Sequence, residues 1–205
     1  ITQLSFAQVV YNGNGNTGFG GPVGGSSFSI SHTSTTVTVT MTRGAGNFND
    51  AMVMYISNGA AGRSVMDANI RDFHDAHRRA ISNVGSGNIN FPAGFQATHA
   101  ISIMPSFGGL WSIPATGFVG NNALPFIASV GNPSSNSFTT FDFSFTWAQI
   151  GLTSADQFQF VVAYGNPNDA GSSVMFSSNE AYGGGITGGN PGTAAMTYTT
   201  YFEYP

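Results

Sequence analysis

Several residue types are scarce in this chain of 205 residues, and each shortage excludes a class of protein. Lysine and cysteine are absent, and charged residues make up 7% of the sequence, against roughly 25% in a typical soluble domain. Five arginines and a net charge of −4 do not form the clustered basic surface that binding to nucleic-acid phosphates requires. No apolar run approaches the roughly 18 residues of a membrane-spanning helix, so we expect no membrane insertion.

The composition and the first residues predict an exported protein. A chain of this length buries enough surface to fold without disulfides, so the lack of cysteine does not argue against secretion. The sequence starts at Ile1 without a charged or apolar leader, as expected after removal of a signal or pro-segment. Hydroxyl and amide side chains keep a surface hydrated without charge. We therefore expect an extracellular or cell-surface location and a bacterial source.

Alternation of apolar and polar residues is the main structural signal. Residues 35–42 read TTVTVTMT and residues 138–146 read FTTFDFSFT, a period of two that is typical of half-buried strands. Further strands are predicted at 4–11, 27–31, 51–57, 98–104, 126–130, 157–164, 173–177 and 195–204. Glycine and asparagine turns separate them. The pattern predicts an all-β fold, an antiparallel two-sheet β-sandwich of jelly-roll type, with one apolar face on each strand and at most one short helix.

One stretch departs from the alternating pattern. Apolar residues recur near helical spacing from Met66 to Ile81, and Ser64 or Asp67 is suited to cap a helix there. The same stretch equally suits a long irregular loop across one end of the sandwich. We expect no internal domain boundary beyond a Gly/Asn-rich hinge, which divides the chain into an N-terminal strand and hinge (1–25) and the sandwich domain (26–205).

Two metal sites are conceivable in this stretch. His74 and His77 are three residues apart, the spacing that puts two ligands on one face of a helix, but a third zinc ligand is not specified. Asp67, Asp72 and Asp75 offer the hard oxygen ligands that calcium prefers, although their spacing is not that of an EF-hand. Local pairing of these acids with arginines explains the same residues. We predict no cofactor, with calcium as the open alternative.

No catalytic motif is present. The sequence lacks the G-x-S-x-G turn that exposes a nucleophilic serine, and its two glutamates, Glu180 and Glu203, do not mark a pair of catalytic carboxylates. We therefore predict that the protein is not an enzyme. Trp111 and Trp147 have two interpretations, core packing and stacking on sugar rings.

Several segments combine glycine turns with short apolar strands in a recurring order. They are residues 44–56, 91–101, 109–111, 141–152, 159–164, 178–181 and 190–192. Together they resemble secreted bacterial β-sandwich modules similar to carbohydrate-binding (family-nine-type) and DOMON-like domains. The resemblance implies a β-sandwich and a polysaccharide partner. The chain departs from those modules in having no lysine, and we expect no catalytic domain beside it.

Two functions follow as hypotheses. The first is a structural subunit of an extracellular fibre or surface assembly, a homo-oligomer or polymer. An N-terminal strand that carries Leu4, Phe6, Val9 and Tyr11 would pair with the sheet of the next copy, and such a head-to-tail contact grows a filament. The alternative is a non-catalytic carbohydrate-binding module of the cell surface or matrix, with Trp111 or Trp147 stacked on the glycan.

Overall fold

The computed structural model describes residues 8–168 and 174–205, which form a β-sandwich with one short helix. The strands in chain order are β1 (Val9–Asn12), β2 (Ser27–His32), β3 (Thr36–Thr42), β4 (Ala51–Ser57), β5 (Val65–Met66), β6 (Ile89–Asn90), β7 (His99–Met104), β8 (Phe107–Ser112), β9 (Phe126–Ser129), β10 (Thr140–Thr146), β11 (Phe158–Asn166), β12 (Phe176–Tyr182), β13 (Met196–Thr197) and β14 (Phe202–Tyr204). The helix α1 spans Ala76–Ser82, and a 3-10 helix spans Trp147–Ile150. No helix among the described residues has the length and apolar character needed to cross a bilayer.

Two large sheets face each other. The four-stranded sheet has the order β1-β2-β3-β10, and the seven-stranded sheet has the order β12-β11-β4-β7-β8-β9, with β14 paired to β11 beside β12. Strand pairs in both are antiparallel. A small third sheet, β13-β6-β5, lies apart from them. The predicted all-β sandwich with at most one short helix is confirmed.

The alternating strands form the four-stranded sheet and the first core. On β3 and β10 every second side chain is buried, and the apolar ones lie directly opposite each other across the strand pair. The three pairs are Val37–Phe145, Val39–Phe143 and Met41–Phe141. Their other faces carry threonine, serine and aspartate toward solvent, as the period of two predicts.

A second core lies on the far side of the seven-stranded sheet. All seven residues of β4 are buried, and Val53 and Tyr55 pack under a layer made of α1, β5, β6 and β13. The hydroxyl of Tyr55 donates to the carbonyl of Ile81 in α1 at 2.8 Å. The expectation of a single apolar face per strand is therefore wrong for this sheet, whose central strands are covered on both sides.

The helix is shorter than the apolar pattern suggested. It begins after Asp75, whose carboxylate accepts the backbone N–H of Arg78, and it ends at Asn83, which adopts a left-handed conformation with φ of 50°. Asp67 does not cap it, because its carboxylate instead accepts the backbone N–H of Asn69.

A buried carboxylate anchors the glycine-rich segment that follows β1. Glu180 of β12 is fully buried, and its two oxygens accept four backbone N–H groups from that segment. The donors are Phe19, Gly21, Val23 and Gly24, at 2.7 to 3.1 Å. The stretch expected as a hinge is thus bound to the sandwich along its length, and we name this contact the Glu180 anchor.

Candidate functional site

The end strands β12 and β10 are covered by other segments of the chain. The backbone N–H of Asn14 donates to the carbonyl of Ala181 on β12 at 2.9 Å, and Ser177 and Gly192 pair further along the same strand. On β10, Ser144 donates to the carbonyl of Val130 at 2.9 Å. Such coverage keeps unpaired backbone groups away from other chains.

Two end strands are open. Within the described ranges, β1 ends the four-stranded sheet with no strand on its outer side. The strand β9 ends the seven-stranded sheet in the same way. Its sequence FIAS contains no charge and no proline, which are the usual means of blocking an edge. Ile127 is an extra residue relative to β8, because Leu110 faces Ala128 while Trp111 faces Phe126. We call this open strand the β9 edge.

Exposed phenylalanines accompany the β9 edge. Phe73, Phe118 and Phe126 are 45%, 70% and 49% exposed, and they are three of the four large apolar side chains that stand out from the described surface. A single exposed apolar residue is ordinary, whereas apolar residues exposed on loops that are joined to one another form a candidate contact surface. We call these three residues the phenylalanine patch.

A second buried carboxylate ties the patch together. Asp72 is fully buried, and its oxygens accept the backbone N–H groups of Asn122 at 2.7 Å and Leu124 at 2.9 Å. It also accepts the N–H of His74 at 3.1 Å and lies 3.3 Å from the guanidinium of Arg78. We call this contact the Asp72 anchor.

The Asp72 anchor joins the two chain segments that carry the phenylalanines. Phe73 follows Asp72 directly, and Phe126 lies two residues after Leu124. Phe118 precedes Val119, whose carbonyl accepts the N–H of Arg71 at 2.8 Å. All three patch residues therefore extend from one hydrogen-bonded unit.

Trp111 forms the support beneath Phe126. It is 2% exposed, its ring centroid lies 5.4 Å from that of Phe126, and His77 stacks on it at 5.7 Å. The guanidinium of Arg78 lies over the same indole at 5.7 Å. Burial lowers the pKa of His77, so near neutral pH the imidazole adds no second positive charge beside Arg78.

Trp147 lies far from this surface, in the core between the two large sheets. It is 2% exposed, and its indole N–H donates to the carbonyl of Thr33 at 3.2 Å. Neither Trp111 nor Trp147 offers a ring face to solvent. The prediction that these residues stack on sugars is therefore not supported, and core packing accounts for both.

The three predicted calcium ligands do not form a site. Asp72 is occupied by backbone N–H groups and Arg78, Asp75 caps α1 and pairs with Arg78, and Asp67 closes its own turn. Across residues 8–168 and 174–205, no group of three histidine, cysteine or acidic side chains is placed to hold a metal ion. The nitrogen Nδ1 of His77, which the zinc alternative invoked, lies 3.0 Å from the hydroxyl of Ser102.

Two of the four residues of the predicted intersubunit strand pair within their own chain. Val9 pairs with Ile30 and Tyr11 with Phe28 of the same chain. Burial raises the pKa of Tyr11 to about 12, with smaller contributions from Tyr204 and Glu203, and its hydroxyl donates to the carbonyl of Glu203 at 2.6 Å. Leu4 and Phe6 lie outside the described residues.

Sequence reasoning missed most of this site. Phe73 and Phe118 belong to no alternating run. The one signal available was that each is an isolated phenylalanine, Phe73 between an aspartate and a histidine and Phe118 after a glycine. The role of Asp72 had no local signal, because Asn122 and Leu124 are about fifty positions away.

Comparison with known proteins adds no assignment to this geometry: no protein-family model, no curated protein and no solved structure matches the chain.

Proposed function

We propose that the protein is a structural, non-catalytic subunit of an extracellular assembly whose copies join by strand addition at the β9 edge. The observation that supports this most directly is the combination of an open, uncharged edge strand with three exposed phenylalanines. Backbone hydrogen bonds along the edge give affinity, and apolar side chains beside it fix the register.

The donor in this proposal is the chain before Val9 of a second copy. Val9 and Tyr11 already pair with β2, so the proposal places the donor in the residues that precede them. In that segment Leu4 and Phe6 alternate with Ala7 and Ser5, the period of two that an added strand needs. A donor at one site and an acceptor at another form a head-to-tail contact, which extends into a filament.

The phenylalanine patch supplies the apolar part of the contact. Complete burial of a phenylalanine side chain is worth about 1.5–3 kcal/mol, so covering the exposed portions of all three contributes on the order of 3 kcal/mol. The bulge at Ile127 keeps the edge short, so the strand alone pairs over few residues. We therefore expect the patch to contribute as much as the backbone.

Light scattering and electron microscopy test the proposal. The full chain should form filaments at neutral pH as its concentration rises. Ala128→Lys should leave it monomeric, because a lysine on the edge opposes a further strand. Ser135→Lys, which adds the same charge in an exposed loop, should assemble as the unmodified protein does. A wild-type chain that stays monomeric at every concentration would sink the proposal.

The phenylalanine patch also favours a second candidate, a non-catalytic carbohydrate-binding module. Exposed aromatic rings can stack on the apolar faces of sugars, a role the buried tryptophans do not fill. Retention on a polysaccharide matrix should then fall for Phe118→Ala and persist for Ala128→Lys. If no glycan retains the unmodified chain, this candidate fails and the assembly proposal is unaffected.

A further inference from the structure

A cavity of about 290 Å³ lies between two loops of the outer layer. One wall is formed by residues 66–71 and the other by residues 82–88, the turn that follows α1. Its size lies just below the range for small-molecule sites, which is about 300–1,000 Å³. It therefore holds a single small ligand rather than a chain.

Hydrogen bonds to the rest of the fold fix both walls. In the turn after α1, Val84 accepts the N–H of Met175 at 2.9 Å, and Gly87 donates to Thr193 at 2.8 Å. A Cβ on Gly87 would lie 2.4 Å from the nitrogen of Ala195, so the close approach of the two backbones requires glycine. A cavity with fixed walls avoids the entropic cost of ordering loops around a ligand.

Arg71 is the one guanidinium in this protein without a hydrogen bond or ion pair inside the described part of the chain. The other four arginines donate to backbone carbonyls or to acidic and amide side chains. Arg71 lines the cavity, and its backbone N–H is held by Val119. Lysine is absent, so arginines are the permanent side-chain cations that an external anion could bind, and the planar fork of Arg71 suits a carboxylate.

The remaining polar groups of the cavity match hydroxyls. Ser82 is buried, and its oxygen accepts the N–H of Asp72 at 3.2 Å, which leaves its own hydroxyl hydrogen to donate. Asp67 is partly exposed on the opposite wall and retains acceptor capacity beyond its turn with Asn69. Asn88 adds an exposed amide at the rim.

We propose that this cavity binds the acidic sugar unit of a glycan, with the sugar carboxylate on Arg71 and ring hydroxyls on Asp67 and Ser82. The three side chains present one cation, one acceptor and one donor around a space of the right scale for one ring. The site depends on neither the β9 edge nor the phenylalanine patch, so it stands or falls apart from the assembly proposal.

Two-dimensional amide NMR of the full Ala128→Lys variant, which the assembly proposal expects to be monomeric, tests this assignment with glucuronate as the probe. If that variant still assembles, fluorescence-detected or calorimetric titration of the assembled protein serves equally. Glucuronate should shift resonances of residues 66–71 and 82–88. Arg71→Gln should weaken its binding at least tenfold, and Arg71→Lys should weaken it less.

Neutral glucose and sodium acetate are the matched ligands, and Arg43→Gln is the matched variant, because it removes the same charge away from the cavity. Glucose should bind much more weakly than glucuronate, and Arg43→Gln should bind glucuronate normally. Acetate binding as tight as glucuronate would overturn the sugar assignment. Shifts confined to other residues, or unchanged affinity in Arg71→Gln, would overturn the site itself.

Discussion

The two ends of the seven-stranded sheet show how similar chemistry produces opposite surfaces. At the β12 end the Glu180 anchor binds the glycine-rich segment over the sheet edge and closes it. At the β9 end the Asp72 anchor binds two loops beside the edge and leaves the strand open. Both use a fully buried carboxylate that accepts backbone N–H groups from distant loops. The difference lies in what the anchored loops present: a glycine-rich segment along β12 at one end, and the exposed side chains of the phenylalanine patch at the other.

Removing the Glu180 anchor should lower the free energy of unfolding more than removing any other contact in the two regions. In Glu180→Gln an amide group replaces one acceptor oxygen and faces backbone N–H donors in a buried site, which costs about 4 kcal/mol of unfolding free energy. Urea denaturation measures it. Glu203→Gln changes the other glutamate, which is exposed on β14, and should cost less than about 0.5 kcal/mol. Equal losses in the two variants would contradict the anchor.

Removing the Asp72 anchor should cost somewhat less and should act on the contact surface as well. Asp72→Asn leaves an amide opposite the N–H of Asn122 or Leu124 and weakens the pair with Arg78, for a loss of about 3 kcal/mol. Assembly should also fall, because the loops that carry the phenylalanines loosen. Asp142→Asn, at an exposed position on β10, is the control. If Asp72→Asn is destabilised but assembles normally, the Asp72 anchor does not support assembly through the phenylalanine patch.

Low pH should lower the free energy of unfolding through His99, which lies on β7. Burial lowers the pKa of His99 on β7 from 6.5 to about 4, so between these values the unfolded chain binds a proton that the folded chain does not. The free energy of unfolding therefore falls as pH drops from 6.5 toward 4 and levels off below that. We expect a loss of about 2 kcal/mol from this partly exposed group.

Denaturation at a series of pH values checks the histidine effect. His99→Gln should flatten the slope between pH 6.5 and 4, and His74→Gln, at an exposed site, should keep it. Burial also lowers the pKa of His77, so part of the slope should survive in His99→Gln. A pH profile that is flat in the unmodified protein would refute the linkage.

The smallest effect on stability should come from Phe118→Ala. Its side chain is the most exposed of the patch, so the unfolding free energy should change by less than about 0.5 kcal/mol. Association should nonetheless weaken about tenfold, since burying this ring in a contact is worth on the order of 1.4 kcal/mol. Sedimentation at several concentrations measures it. Unchanged association would remove Phe118 from the contact.

The sequence predicted the strands whose two faces differ and also the buried strands β4, β7 and β11, but it missed β8 and the two-residue strands β5 and β6. Residues 36–42 and 140–146 alternate because one side faces water, and both strands formed with the expected side chains inside. The strand β8 was missed because Gly108 and Gly109 interrupt any pattern. Their lack of a side chain has a tertiary cause: a Cβ on Gly108 would lie 2.1 Å from the carbonyl of Gly131.

The contact surface and the cavity were unpredictable for the same reason. Their parts come from loops that meet only in the folded chain: the Asp72 carboxylate joins those of the contact surface, and backbone hydrogen bonds hold the cavity walls. A buried aspartate has the same local appearance in a sequence as a solvated one. The interpretation that acids and arginines of residues 63–79 pair locally was confirmed in part. Arg78 pairs with Asp72 and with Asp75. The link from Asp72 to Leu124 required the fold.

The Glu180 anchor has a consequence for the order in which the chain can fold. Its partners lie 156 to 161 positions earlier, so a nascent chain has no acceptor for the amides of the glycine-rich segment until Glu180 has been synthesised. Long loop closures of this kind are slow to form. In a chain still being translated, the backbone amides of residues 19–24 therefore stay without their acceptor until β12 has been made.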